Sequence, residues 1–290
     1  MVTALSVVIV FIFGLILGSF FNVCIYRLPR ENLSVIRPPH SFCPNCAKPI
    51  KWFDNIPLVS FIFLKGRCRY CRHSISLRYP LIELLTATLF AYSFYHLIVK
   101  SEQVTALVIA TFFVTIYLVS VLLIVTFIDF EFRIIPNEIT IPGIIIGLIV
   151  STIFPSLHPP LRFIDGNHVP LIGLVSALVG MAAGGGVVYL VGVVGKIVFR
   201  KEAMGFGDVK LMMMVGAFLG WESVLYIFFL ACFLGALAGI TSWIITREHY
   251  IAFGPYLSLA AIIIIFFKPY LVIFTTRTYP DFIRSLFLQF

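Results

Sequence analysis

From Ala4 to Cys24 the chain runs without a single charged residue. Crossing the hydrocarbon of a bilayer takes about 20 such residues as a helix, and windows of this kind recur along the sequence. With 60% hydrophobic and only 12% charged residues, the chain holds too little polar surface to cover a soluble domain. No basic stretch precedes the first run and no small-residue cleavage site follows it, so it reads as a retained helix rather than a signal peptide.

Hydropathy predicts further segments at about Pro80–Val99, Val104–Ile128, Ile139–Phe154 and Val169–Val198. A short one follows at Asp208–Leu219, broken by Gly220-Trp221, then Val224–Ile245 and Ile251–Phe274. The expected fold is an all-α polytopic membrane protein with about eight transmembrane helices and a small cytoplasmic zinc-binding insert after the first. This divides the chain into 1–26, the first helix; 27–79, the insert; and 80–290, the remaining helical domain. The Asp208 segment is short for a span. Irregular backbone at that depth is tolerated only within protein or along a water-filled pocket.

In the insert, Cys43-Pro44-Asn45-Cys46 and Cys68-Arg69-Tyr70-Cys71 stand 21 residues apart. Two knuckles of two thiols each suit a tetrahedral zinc ion, whose binding folds a module too small to hold itself by core burial. Disulfides or redox thiols are the alternative. Cys24 and Cys232, inside apolar helices, read as small buried side chains.

The net charge is +8, but the basic residues cluster in particular loops, as an orientation signal and not a nucleic-acid footprint. Ten fall in the insert, whose basic face also suits anionic membrane lipids. With the insert in the cytoplasm, sixteen basic residues lie on the inner side. Five lie outside, at Lys100, Arg162, Lys268, Arg277 and Arg284. Both termini are then external, and a reducing cytosol favours zinc over disulfides.

That topology places two aspartates on the cytoplasmic side. Asp129 stands at the foot of an apolar segment, ahead of Ile135-Pro136-Asn137. Asp208 follows Gly205-Phe206-Gly207 and precedes another apolar run. Two carboxylates held close cannot both ionise. The charged one takes a proton from water and the neutral one polarises a peptide carbonyl, which is aspartic-protease chemistry. Asp208 also stands where a helix N-cap would. Lys210 either steadies the pair's charge or simply marks the membrane boundary. Near the insert, Ser19 and Asn22 lie one turn apart on the first helix beside Gly14-x-x-x-Gly18, where interhelical hydrogen bonding is the plainer role. Glu83 is a carboxylate inside an apolar segment.

Gly205-x-Gly207-Asp208 with Asp129 resembles the membrane aspartyl proteases of the Gly-x-Gly-Asp type. The stretch Gly18-Ser19-Phe20-x-Asn22-Val23-x-Ile25-Tyr26-Arg27-Leu28-Pro29, the paired knuckles, Arg78-Tyr79-Pro80-Leu81-Ile82-Glu83 and Phe253-Gly254-Pro255-Tyr256 narrow the resemblance to bacterial type IV prepilin peptidases. It implies a multi-pass inner-membrane enzyme with its site facing the cytoplasm. Such an enzyme cuts the leader from prepilins or type II secretion pseudopilins, then N-methylates the new terminus with S-adenosylmethionine. It further implies Asp129 and Asp208 as the catalytic pair, supported by Gly205, Gly207 and Lys210, and the four cysteines as zinc ligands. Candidates for the methyl-transfer half are Ser19, Asn22, Arg27, Arg78 and Glu83. Glu131 and Asn137 stand where many members carry aspartate. Spacing alone would not suggest S-adenosylmethionine, since no soluble-type glycine-rich nucleotide motif is present. Two other classes fit an apolar chain with paired acids: a proton-coupled transporter, for which no internal repeat is evident, and a non-catalytic assembly protein docking through its zinc module.

Overall fold

The computed structural model describes residues 2–158, 169–200, 204–246 and 252–273. Arg162, Arg277, Arg284 and the Arg247–Tyr250 turn, used above to orient the chain, lie outside them. Among the described residues the fold is helical, with only two isolated β-bridges. The helices are α1 (Val2–Arg27), α2 (Val59–Phe63), α3 (Arg78–Phe94), α4 (Ala106–Phe132), α5 (Asn137–Ile153), α6 (Val169–Phe199), α7 (Phe206–Thr246) and α8 (Gly254–Ile273). Five of them are long and apolar enough to cross a membrane, and α5 and α8 are shorter apolar helices.

α4 is the spine of the bundle. One side of it places Leu118, Leu122 and Val125 against Met212, Val215, Ile227 and Leu257 of α7 and α8. The other places Val119, Leu123 and Ile128 against Ile25, Ile82 and Phe90 of α1 and α3. α1 closes on α3 through Gly14 and Gly18, where a Cβ would stand 2.6 Å from the Ala87 Cα and 2.7 Å from the Glu83 Cα. Small residues at this spacing let two helix backbones touch.

Three boundaries depart from expectation. α3 begins at Arg78, before Pro80, because a proline is tolerated in a first helical turn. α4 runs to Phe132, so Asp129 sits in its last turn rather than in a loop, and Arg133 ends the helix in a left-handed conformation, its N–H donating to the Asp129 carbonyl. α7 starts at Phe206, not Asp208, which changes what Asp208 does locally.

α7 is interrupted at Gly220, with φ 76° and ψ 170°, a conformation open essentially to glycine. Unbroken, the helix would carry Thr246 about 57 Å from Asp208. Yet Phe253 lines the same cavity as Asp208, and the seven residues from Thr246 to Phe253 reach at most about 25 Å. The chain therefore doubles back at Gly220, where the sequence placed its break, giving eight apolar segments among the described residues. The Ser151 hydroxyl of α5 donates to the Ala217 carbonyl at 3.0 Å, satisfying an acceptor beside the break.

Candidate functional site

The two aspartates reach one cavity of about 430 Å³ from different elements, Asp129 from the end of α4 and Asp208 from the start of α7. Both are more than nine-tenths buried. Asp208 is not the N-cap of α7. Gly205 holds that place, and Asp208, three residues on, reaches back to accept the Gly205 N–H at 3.1 Å, the acidic half of a capping box. Asp129 is fixed by the first residue of α8, accepting a hydrogen bond from the Gly254 N–H. A Cβ on Gly254 would stand 2.6 Å from Asp129 Oδ2, and one on Gly207 2.9 Å from the Ile135 Cβ. Glycine at 207 and 254 is what lets three chain segments converge on the pair.

Lys210 does not line this cavity. Its ammonium donates to Asn137 Oδ1 at 2.7 Å and lies over the Phe206 ring, tying α7 to the start of α5. The cation at the cavity wall is Arg133, which the sequence reading passed over. Its marker would have been the basic residue just beyond the Asp129 helix.

A second, larger cavity of about 540 Å³ opens between α1, α3 and the insert, and all five methyl-transfer candidates line it. Glu83 neither pairs with an arginine nor stands free: it accepts the Leu58 N–H at 2.8 Å and the Ser19 hydroxyl. Arg27 is committed to the carbonyls of Ser34, Val35, Pro38 and His40, at 2.7–3.3 Å, and so holds the loop over the cavity. Arg78 pairs with Glu131 of α4. Two buried polar atoms here have no partner, Asn22 Oδ1 and Arg78 Nε. An acceptor, a donor and flanking carboxylates around an open cavity fit a polar, cationic methyl donor such as S-adenosylmethionine.

The four insert cysteines come together, their sulfurs all within 4.8 Å of one another. Cys43 and Cys71 are 3.9 Å apart, close to the roughly 3.8 Å between sulfurs bound 2.3 Å from one tetrahedral zinc. The two knuckles repeat one design. The N–H of each first cysteine donates to the carbonyl five residues on, at 3.0 Å to Lys48 and 2.9 Å to His73, and Ala47 and Arg72 each turn the chain at positive φ. Burial pushes the Cys43 thiol up to about 11, whereas the Asn45 amide and the His73 N–H bring Cys71 down to about 6. Four sulfurs this close fit a metal ion.

Fold and family models together define the class as a polytopic membrane peptidase. The Bacterial Peptidase A24 N-terminal domain matches residues 12–97, taking in the second part of α1, the insert and α3 together, and the Type IV leader peptidase family matches residues 116–240. Relatives include the prepilin leader peptidase/N-methyltransferase of Aeromonas salmonicida strain A449, 36% identical over 87% of each chain. That of Neisseria gonorrhoeae is 34% identical over 87% of each, and that of Pseudomonas aeruginosa 32% identical over 93% of this chain and 91% of its own. No solved structure matches. The chain belongs to the type IV leader peptidase family.

Proposed function

We propose that this chain is a bifunctional enzyme of the bacterial inner membrane that removes the leader from type IV prepilins or type II secretion pseudopilins and N-methylates the residue exposed. The observation that carries the reading is the convergence of Asp129 and Asp208 on one cavity. In the cleavage step the ionised carboxylate takes a proton from the attacking water. The protonated one hydrogen-bonds the scissile carbonyl, then passes its proton to the leaving nitrogen. Hydrogen bonds from the Gly205 and Gly254 N–H groups orient the two carboxylates. The substrate's apolar stem lies among the helices, and its basic leader leaves toward the cytoplasm, the side on which the positive-inside rule places the insert. On that orientation the dyad faces the cytoplasm as well.

Methyl transfer belongs to the larger cavity. When bound there, S-adenosylmethionine supplies an electrophilic methyl group on a sulfonium. Asn22 and Arg78 are the residues whose unpaired atoms would hold it, while Ser19 and the Leu58 N–H orient Glu83 on the cavity wall. Zinc at Cys43, Cys46, Cys68 and Cys71 fixes the module that roofs the cavity, with residues 1–26, 27–79 and 80–290 as the working units.

The test is mass spectrometry of a prepilin incubated with purified protein and S-adenosylmethionine. Loss of the leader with one methyl group on the new terminus is the expected result. Leader loss alone removes the transferase, and an unchanged substrate with folded enzyme removes both activities.

A further inference from the structure

We infer that residues 52–63 of the insert lie in the bilayer, as an interfacial anchor seated among the headgroups and upper acyl chains of the leaflet where α1 ends and α3 begins. Depth is the first argument. The Leu58 N–H donates to Glu83 Oε2 at 2.8 Å. Glu83 is five residues into α3, about 7 Å along the helix from Arg78, and it faces Gly18 of α1, nine residues and about 13 Å before that helix ends at Arg27. The insert therefore does not simply rise into water from the helix ends. Its middle descends beside the first turns of a membrane-spanning helix.

Surface chemistry is the second. Trp52, Ile62 and Phe63 are 81%, 72% and 82% exposed, and Phe53, Ile56 and Val59 are exposed beside them. Six large apolar side chains exposed within twelve residues far exceed the scattered exposure of a soluble surface. The same turns of α3 present exposed Leu81, Leu84 and Leu85, so the apolar face runs on into a helix that already faces lipid. Asp54 is the only charged residue between Lys51 and Lys65. Arg69 takes both of its oxygens, at 2.7 and 2.6 Å, and holds its carboxyl below the ordinary carboxylate range.

Backbone chemistry is the third. Polar backbone groups in lipid must be satisfied within the chain. The Ile56 N–H donates to the Ser60 hydroxyl, Pro57 has no N–H, Leu58 donates to Glu83, and the Ser60, Ile62 and Leu64 N–H groups donate to the carbonyls of Ile56, Leu58 and Ser60. Lys51 and Lys65 at the two ends suit anionic headgroups, with tryptophan and phenylalanine at the interface between them. Lipid fits this face better than a protein partner because its depth is set by α3 and its ends are basic.

Trp52, Trp221 and Trp243 are the protein's tryptophans, so Trp221→Phe/Trp243→Phe isolates the reporter. The full chain is reconstituted in phosphatidylethanolamine/phosphatidylglycerol liposomes. The expected result is blue-shifted Trp52 emission, mostly lost to lipids brominated in the upper acyl chain and little affected by aqueous iodide. Quenching by iodide and not by bromolipid overturns the inference. So does shielding from both, which would mean that a second copy or another protein covers the face. In parallel, the unaltered protein is photolabelled by a lipid carrying an acyl-chain diazirine. Adducts within 52–63 support the anchor; their absence, with α1 and α3 labelled, refutes it independently of the double variant.

Discussion

Gly254→Ala is the sharpest test of the proposed dyad, because the structure separates it from Gly205→Ala, which the sequence motif would rank as the graver change. A Cβ at 254 would stand 2.6 Å from Asp129 Oδ2 and 3.1 Å from its Cγ, where ordinary contact is about 3.5 Å. The carboxylate must retreat by roughly 1 Å, and its bond from the 254 N–H goes with it. A misplacement of about 1 Å at a reacting group lowers the rate on the order of 100-fold, equivalent to about 2.7 kcal/mol in the barrier. At 205, by contrast, the nearest atom to an added Cβ is Asp208 Oδ2 at 3.6 Å, an ordinary contact, and the backbone is outside the left-handed region. Gly205→Ala should keep kcat/KM within a factor of about two, the spread of about 0.5 kcal/mol expected of an uncrowded substitution. The assay is leader removal from a prepilin in detergent micelles, with thermal melting as the check on folding. Near-normal cleavage by a folded Gly254→Ala protein, with Gly205→Ala inactive, would refute this account of how the pair is held.

Asp129→Asn or Asp208→Asn should abolish cleavage while the protein stays folded and inserted, scored by prepilin mobility and protease-resistance of the enzyme; full activity in either sinks the dyad. Elemental analysis of reduced protein should find roughly one zinc per chain, and Cys68→Ser should release it and loosen the insert to proteolysis. His158, in the turn after α5, is held down from 6.5 to about 4 by burial and then by the Lys268 charge. The folded state thus keeps it neutral, so its contribution is complete above about pH 6.5 and is lost as pH falls toward 4, by about 3 kcal/mol at most. His158→Gln should flatten thermal stability across that window; an unchanged slope would assign the acid lability elsewhere.

The apolar runs, the paired knuckles and the Gly-x-Gly-Asp stretch were legible because each is a local pattern with a local physical reason. Gly220 was legible for the same cause, as a break in an apolar run. What stayed hidden depends on long-range approach. Gly254 meets Asp129 across 125 residues, and nothing around Phe253-Gly254-Pro255 announces a contact with a carboxylate. Lys210 reads as a neighbour of Asp208 in sequence, but a helix turns its ammonium toward Asn137 instead. In the larger cavity, the sequence offers polar residues near a membrane boundary without saying which are already satisfied. Only packing separates Arg27, fully engaged by backbone carbonyls, from Asn22, whose oxygen is left bare.

The ion pair between Arg78 and Glu131 bears on how such enzymes diverge. Residues two apart on a helix point about 200° from one another, so the last turn of α4 presents Asp129 to one cavity and Glu131 to the other. Position 131 thus belongs by sequence to the segment that the Type IV leader peptidase family matches and by contact to the N-terminal one. A chimera joining α1 to α3 of one relative to the remaining helices of another inherits the two ends of this bridge from different parents. Swaps that match the pair in charge and length should graft cleanly, and those that do not should fail at the seam.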